Sequence, residues 1–359
     1  MSQSSLNRPR FYYLDILRII SCLLIVGVHV SALNWNDVAV STSHWQFMNV
    51  YDCICILGVP LFFMMSGALF LQESSTLQLK KLYFKNILRL LLVYHIWLLF
   101  YNILPFLRGE CAFTIDNIKY ELLDNFLCGI GIYHLWFLPE LIILYMLSPI
   151  LKEAFRKKEI CQYFLILFAI FGTFLPMILQ YYFPYRKYIA SYYERTSLVM
   201  MTGYIGYFVL GHYLHTFEVN ITQKSKRLLL WLIVLISCSI TIIACSIDAL
   251  HQNQPSTILN TPLSFASFIA CFGIFALCKY YCRELVLPKN GLVQQLVSLT
   301  FGIYLLHPFM LQILEELGIT TLQPHPILMI PVLVLLVSAM CMLPTWLLRK
   351  IPFIKKWLL

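Results

Sequence analysis

The amino-acid sequence predicts an all-α polytopic membrane protein of about ten transmembrane helices, with both termini in the cytoplasm. Of its 359 residues, 60% are hydrophobic and only 12% are charged, whereas a soluble domain carries about 25% charged residues. Apolar runs of about twenty residues recur along the whole chain, and each is long enough to cross a hydrocarbon core of ~30 Å. Lys and Arg are also distributed unequally between alternate loops, and this bias predicts the orientation.

The apolar runs are separated by polar or charged segments, which define the spans. We place the spans near 12–34, 49–71, 87–107, 133–151, 160–180, 197–217, 228–248, 262–282, 293–316 and 326–348. The first span is interpreted as a retained anchor, because no small-residue cleavage site of a signal peptide follows it. An even number of spans puts both termini on the same side of the membrane.

Positive charge is concentrated on the side that holds the N-terminus in this arrangement. Of the 26 Lys and Arg residues, Arg18 lies within a span and 20 flank the spans on the N-terminal side. The other side has only five: Arg108, Lys119, Arg186, Lys187 and Arg195. Because the loops are short, the positive-inside rule places the richer side in the cytoplasm. The net charge of +9 then reflects orientation and attraction to anionic membrane lipids, and we expect no nucleic-acid binding.

The loops leave no room for a second catalytic domain. The two longest outer loops, near 105–132 and 181–196, are too short for one, and no internal repeat is evident. We therefore treat residues 1–359 as a single integral-membrane domain. The cysteines show no zinc spacing, so no metal site is expected, although Cys111 and Cys128 share an outer loop and would be able to pair in an oxidising compartment.

The first span carries ionisable side chains on one helical face. Arg18 and His29 are eleven residues apart, which is three turns plus about 20° and about 16 Å along the axis. Asp15 lies within roughly 40° of the same face. Ionisable groups inside a membrane are costly and indicate a functional site. The alternative is an arginine that extends to the interface beside a packed histidine, but His29 is too deep for that explanation.

The second span and the segment that follows it have features of a binding site near the cytoplasmic side. The run Gly58-Val-Pro-Leu-Phe-Phe-Met-Met-Ser66-Gly67 permits a broken or bent helix, which a membrane tolerates only where neighbours satisfy the backbone. A kink required only for packing is the alternative. Ser66 falls toward the cytoplasmic side, as do Lys85 and Arg89 at the start of the third span.

The fourth span opens on the outer side with an imidazole between aromatic residues. The segment is Tyr133-His134-Leu-Trp136-Phe-Leu-Pro-Glu140. Trp and Tyr at the end of a span usually form an interfacial aromatic belt, which is the simpler interpretation. His134 is unusual beside them, so the segment is also a candidate for contact with a substrate.

The ninth span contains a His-Pro pair within its apolar run. The segment is Ser298-Leu-Thr-Phe-Gly-Ile-Tyr304-Leu-Leu-His307-Pro308, and it predicts a kink with the imidazole facing the bundle. His29 lies about 25 Å into one outward-running span and His307 about 21 Å into another. The two imidazoles are therefore expected at similar depth, in the outer half of the membrane.

These motifs together resemble the integral-membrane acyltransferase-3 family. The resemblance rests on the Arg-x10-His spacing in span one, Gly-Val-Pro-Leu-Phe-Phe-Met-Met-Ser-Gly in span two, His-Leu-Trp-Phe-Leu in span four and Gly-Ile-Tyr-Leu-Leu-His in span nine. It covers nearly the whole chain, from about Tyr12 to the last span. It is closest to stand-alone bacterial surface-polysaccharide O-acetyltransferases of the kind that acts on enterobacterial common antigen.

The resemblance implies acyl transfer in the bacterial inner (cytoplasmic) membrane. The donor would be cytoplasmic acyl-CoA, by default acetyl-CoA, with no bound cofactor. The acceptor would be a hydroxyl of a cell-surface or lipid-linked glycan on the periplasmic side. Family motifs map the required groups onto Arg18, His29 and His307, and basic groups onto Lys85 and Arg89. Glu140 departs from the family pattern, and the acceptor and the oligomeric state are left open.

Side-chain chemistry is compatible with this reaction. The phosphates of acyl-CoA require cations, which Arg18, Lys85 and Arg89 supply beside Ser66. A thioester is already activated, so what remains is a base or a nucleophile, and imidazole serves as either; the sequence does not decide between them for His29. His307 and Tyr304 would orient the acceptor or stabilise the oxyanion. Trp136 and Tyr133 would stack on a sugar ring, and His134 beside them completes the predicted substrate-binding residues. The alternatives are a transporter or flippase of a lipid-linked glycan and a non-catalytic membrane sensor or scaffold.

Overall fold

The computed structural model describes residues 10–72, 78–120, 134–179, 185–197, 203–286, 288 and 291–358. Within these ranges the regular structure is entirely helical. We number the helices in chain order: α1 Tyr12–Ser31, α2 Ser43–Cys55, α3 Gly58–Phe70, α4 Leu79–Leu107, α5 Ile115–Ile118, α6 Phe137–Ala154, α7 Lys158–Leu179, α8 Arg186–Arg195, α9 Ile205–Thr216, α10 Lys224–Gln252, α11 Phe265–Cys282, α12 Leu292–Glu316, α13 Pro326–Leu348 and α14 Pro352–Trp357.

The membrane-protein prediction is confirmed, but the count of spans is only partly matched. In the described part of the chain, 8 helical segments are long and apolar enough to cross a membrane, with α2 and α3 forming one of them. The predicted spans 133–151 and 197–217 correspond to α6, which has 18 residues with three charges, and to α9, which has only 12 residues. The total of ten and the cytoplasmic termini therefore stay predictions.

Helix α1 lies at the centre of the bundle. It contacts α2, α3, α11, α12 and α13, and its residues Leu17, Val26 and Val30 have no exposed surface. A helix surrounded in this way is shielded from lipid. Its polar side chains consequently face other helices, as expected for ionisable groups inside a membrane.

The second predicted span is a broken helix, as its glycine and proline content indicated. Helix α2 ends at Cys55 and α3 begins at Gly58, so the interruption falls at Ile56 and Leu57. A Cβ atom at Gly58 would lie 2.8 Å from the Ser21 carbonyl oxygen of α1. The absence of a side chain there lets the start of α3 approach α1.

Helices α3 and α9 approach each other backbone to backbone. A Cβ atom on Gly67 would lie 1.8 Å from the carbonyl oxygen of Phe208, and one on Gly211 would lie 1.8 Å from that of Met64. Such close approach is how small residues promote helix association in membranes. The pair fixes α3, and with it Ser66, in the bundle.

Helix α4 starts with a wider turn that bears on the site. Its segment Leu82–Ile87 is π-helical, a local form that often occurs at functional sites. This segment carries Lys85, and Arg89 follows one turn later. The segment packs against α6, and both Lys85 and Arg89 line the cavity described below.

Candidate functional site

The bundle contains a large cavity lined by cations, which we call the cationic cavity. It has a volume of about 1180 Å³ and lies between α1, α3, α4, α6, α12 and the C-terminal segment. Its positively charged lining residues are Arg10, Arg18, Lys85, Arg89, Arg349 and Lys356. None of the described residues that line it is Asp or Glu. The cavity is therefore suited to a ligand with several negative charges.

Four sequence-predicted residues meet in the cationic cavity. Arg18 of α1, Ser66 of α3, and Lys85 and Arg89 of α4 all line it. These residues are separated by up to 71 positions in the chain, so the fold brings together groups that the sequence placed only on the same side of the membrane. Tyr145 of α6 also lines the cavity.

Three cations of the cavity were missed by sequence reasoning as site residues. Arg10, Arg349 and Lys356 were interpreted only as part of the orientation signal. The guanidinium of Arg349 donates a hydrogen bond to the Ser298 carbonyl of α12, which holds it at the cavity wall. Lys and Arg residues near the end of a chain serve either as a topology signal or as the lining of a binding cavity. Only the fold shows which role a particular residue has.

The carboxylate of Asp15, which lies near the helical face of Arg18, is paired with a different cation. The Nε of Arg10 donates to Asp15 at 2.6 Å. Asp15 itself is buried and does not line the cavity. The negative charge nearest in sequence to Arg18 is thus taken up by another cation.

A second cavity contains imidazoles, and we call it the histidine cavity. It has a volume of about 470 Å³ and is lined by His29, His134 and Tyr101, among others. Glu110 and Glu315 also line it, and no Lys or Arg occurs among its described lining residues. Its charge is therefore opposite to that of the cationic cavity.

Three imidazoles, from α1, α12 and the turn that precedes α6, meet beside this cavity. The ring of His307 lies 5.0 Å from that of His29, in a stacked arrangement, and 5.4 Å from that of His134, measured between centroids. His307 has no exposed surface. The rings of His29 and His307 are therefore adjacent, as similar depths would require, and His134 joins them; their place in the outer half of the membrane stays a prediction.

Tyr304 connects the two cavities. It lines the cationic cavity, and its hydroxyl donates a hydrogen bond of 2.7 Å to the carbonyl oxygen of His134. Its ring centroid lies 6.2 Å from that of His307. Tyr304 and His307 therefore form a wall between the two cavities.

Trp136, which was predicted to contact the acceptor, does not line either cavity. The ring of Trp136 is 42% exposed and packs on Tyr204 at 5.3 Å, so its prediction as a substrate-stacking residue has no support from the cavity lining. Tyr133 lies outside the described residues. Glu140 lies close to Gly203: a Cβ atom added to this glycine would be 3.4 Å from the carboxylate oxygen of Glu140.

The cysteine and metal expectations are tested only in part. Cys111 carries a free thiol, and Cys128 lies outside the described residues, so their pairing stays a possibility. In the part of the chain that the structure describes, no group of three His, Cys, Asp or Glu side chains is arranged to hold a metal ion.

Comparison with known proteins gives a consistent family match. The model of the acyltransferase 3 family, described as an acyltransferase domain, matches residues 11–349. The chain is 24% identical to probable poly-beta-1,6-N-acetyl-D-glucosamine export proteins of Staphylococcus aureus strains MRSA252 and MSSA476, over 82% of this chain and 81% of each relative. It is 30% identical over 44% of its length to an amino-acid racemase of Enterococcus faecalis, of which only 21% is covered. No solved structure matches the chain.

Proposed function

Since the chain belongs to the acyltransferase 3 family, we propose that it is a membrane O-acyltransferase. The donor is cytoplasmic acyl-CoA, with acetyl-CoA as the default. The acceptor is a hydroxyl of a cell-surface or lipid-linked glycan on the periplasmic side of the bacterial inner membrane. The observation that carries the proposal is the pairing of a cationic cavity with a histidine cavity, linked by the hydrogen bond from Tyr304 to His134 and by the stacked rings of His29 and His307.

The cationic cavity supports the donor assignment. Coenzyme A carries several phosphates, and Arg and Lys side chains bind phosphate oxygens by charge-assisted hydrogen bonds. Six cations line a volume of about 1180 Å³, and drug-sized ligands typically occupy pockets of about 300–1,000 Å³. The C-terminal Arg349 and Lys356 belong to the side that the charge bias predicts to be cytoplasmic.

The histidine cavity supports the acceptor assignment. Glu110 and Glu315 line it without any Lys or Arg among the described lining residues, and Glu110 is paired with Arg108 at 3.4 Å. The described lining thus offers no cation of its own to an anionic sugar. A neutral or amine-bearing glycan fits this lining better. Tyr101 and His134 supply polar and aromatic edges on which a sugar hydroxyl and ring can be positioned.

The wall between the cavities supports the chemistry. In direct transfer, the acceptor oxygen bonds to the thioester carbonyl carbon and the carbon–sulfur bond breaks. The hydroxyl proton passes by way of an imidazole to the departing thiolate. His29 lines the acceptor side and is our first choice for this base. Its imidazole is alternatively the nucleophile that carries the acyl group before the glycan receives it.

The names of the Staphylococcus aureus relatives favour export as a second candidate function. A lipid-linked glycan transporter would also contain a broken helix and buried polar groups. The three adjacent imidazoles beside the cationic cavity argue for the acyltransferase, because export alone requires no general base next to a phosphate-binding pocket.

Mass analysis of surface glycans tests the proposal in the cell. A strain that lacks the gene, complemented with wild type or with His29→Gln, is compared with its parent. We expect an acetyl increment that deletion removes, that the wild-type gene restores and that His29→Gln fails to restore. Loss of the whole glycan from the surface, with no change in its acylation, would support export instead.

A further inference from the structure

The hydrogen bonds around His307 lead to a further inference, which rests on the proposed function. We propose that Pro308 is a positioning residue that fixes the protonation pattern of the His307 ring. The proline leaves the backbone carbonyl of Tyr304 free to accept a hydrogen bond from Nδ1–H of His307. The buried Nε2 then carries a lone pair at the wall between the two cavities. His307 then accepts a proton there and does not donate one to an oxyanion.

The first step of the argument is the missing backbone donor. In an α-helix the N–H of residue i donates to the carbonyl of residue i−4, and proline has no N–H to donate. Helix α12 runs through Pro308, so the carbonyl oxygen of Tyr304 loses its usual partner. A buried carbonyl without a partner is costly, and another donor is therefore expected to satisfy it.

The second step is the donor that takes this place. The Nδ1 of His307 lies 2.7 Å from the Tyr304 carbonyl oxygen and 3.2 Å from that of Ile303. A carbonyl oxygen only accepts, so Nδ1 must carry the proton. In a neutral imidazole the other nitrogen then holds a lone pair.

The same local arrangement occurs a second time in this protein. Pro149 in α6 likewise frees the carbonyl of Tyr145, and Ser148, immediately before the proline, donates to it at 2.7 Å. Both segments read Tyr-x-x-donor-Pro. The recurrence indicates that the residue before a helix proline is well placed to donate to the carbonyl three residues earlier. His307 differs from Ser148 because its ring has a second functional nitrogen.

The third step concerns the second nitrogen. The Nε2 of His307 is buried and has no hydrogen-bond partner in the described part of the chain. A buried polar atom without a partner is costly and is most often found where it serves a function. It lies in a ring stacked 5.0 Å from His29, where the acceptor hydroxyl of the proposed reaction must arrive.

This assignment decides a role that sequence reasoning had left open. In the step we propose, His29 takes the proton of the acceptor hydroxyl as the oxygen attacks the thioester carbonyl and the carbon–sulfur bond breaks. The His29 imidazolium then passes a proton to Nε2 of His307. The His307 imidazolium returns the proton to the leaving thiolate. Nδ1 keeps its hydrogen bond to Tyr304 throughout, and the ring does not have to turn.

The test uses the full-length protein in lipid nanodiscs, labelled with ¹⁵N in histidine. Spectra of wild type and His307→Gln identify the His307 signals by difference. For wild type we expect the His307 signals of a neutral ring that is protonated at Nδ1 and unprotonated at Nε2. A ring protonated at Nε2 overturns the proposal, and this readout needs neither activity nor a proline variant. If the protonation pattern is as expected but the protein lacks acyltransferase activity, the proposed function fails separately.

Pro308→Ala then tests whether the proline sets this pattern. The alanine N–H competes for the Tyr304 carbonyl, so we expect mixed tautomers and a kcat about fivefold to tenfold lower, the effect of one lost hydrogen bond. The KM for acetyl-CoA should stay within twofold. The matched control is Pro331→Ala in α13, where Tyr51 donates to the freed Ile327 carbonyl at 2.8 Å. An unchanged His307 spectrum in Pro308→Ala overturns the role of the proline, as does an equal loss of kcat in Pro331→Ala.

Discussion

Arg18 and His29 belong to one helix but line different cavities. Arg18 faces the cationic cavity and His29 the histidine cavity, about 16 Å apart along the axis. A single buried helix thus connects the donor end of the proposed reaction to the acceptor end. This gives the eleven-residue spacing a physical reason.

Replacement of His29 by glutamine should abolish transfer. Glutamine keeps polarity and approximate size, but its amide neither accepts the proton nor carries an acyl group. The expected loss is at least the ~10²–10⁴-fold typical of a general base, measured as acetyl-CoA turnover at matched protein levels. His251→Gln, at the exposed end of α10, is the control. Near-normal turnover in His29→Gln would make the imidazole structural.

Replacement of Arg18 should weaken the use of acyl-CoA. A charge-assisted hydrogen bond contributes about 1.5–3 kcal/mol, so Arg18→Ala should lower kcat/KM for acetyl-CoA by roughly 10-fold to 150-fold. Arg18→Lys should recover part of the loss, because a point charge replaces a two-pronged donor.

The control for Arg18 is a cation on the same predicted side of the membrane that lies outside the cavity lining. Lys226→Ala in α10 meets this condition, since Lys226 is exposed. If both alanine variants show the same change in kcat/KM, general electrostatic attraction explains the effect. Full activity of Arg18→Ala with acetyl-CoA below saturation would reduce Arg18 to an interfacial anchor.

At the scale of elements, the sequence predicted the helices better than their contacts. Hydrophobic length was enough to find α1, α12 and α13 within a few residues, and Gly58 with Pro60 was enough to predict the broken second span. The sequence did not reveal that Gly67 and Gly211 pack against backbone, because a glycine within an apolar run does not indicate which helix it contacts. It also gave no reason for the π-turn that carries Lys85.

The contact between α3 and α9 should be intolerant of a single methyl group. In Gly67→Ala the Cβ would meet the Phe208 carbonyl at 1.8 Å, and backbone cannot move aside as a side chain does. We expect destabilisation at the upper end of the 1–3 kcal/mol typical of overpacking, seen as a lower unfolding temperature in detergent.

A milder case provides the comparison for the Gly67 variant. In Gly273→Ala the nearest atom is a Val234 side-chain carbon at 2.5 Å, which can shift by rotation, so a smaller loss is expected. Equal unfolding temperatures of Gly67→Ala and wild type would show that α3 and α9 are not held by this close approach.

At the scale of the whole molecule, the site follows from helices that are distant in the chain. Arg18 and His29 stood out because charge inside an apolar run is visible in one dimension. Arg349 and Lys356 did not, because a basic chain end has an ordinary explanation in topology. The role of Trp136 stays a prediction: it was proposed because aromatic residues near a histidine resemble a platform for a sugar ring, and the ring packs on Tyr204.

The predicted topology is open to direct labelling. In a background in which the native cysteines are replaced by serine or alanine, a membrane-impermeant thiol reagent should reach cysteines introduced at Lys158 and Lys356 only from the cytoplasmic side. It should reach those introduced at Lys119 and His251 from the outside. The reason is the excess of positive charge at the cytoplasmic ends. Labelling of the Lys356 position from outside would rule out this orientation.

The central claim is that this protein consumes a thioester to acylate a glycan across the membrane. The most direct test of this claim measures the release of free CoA. The purified protein is placed in proteoliposomes with acetyl-CoA on one side and a neutral glycan on the other. We predict CoA release that requires the glycan, appears as acetyl-glycan in equal amount, and falls to background in His29→Gln. Movement of the glycan across the membrane without any CoA release would contradict the account.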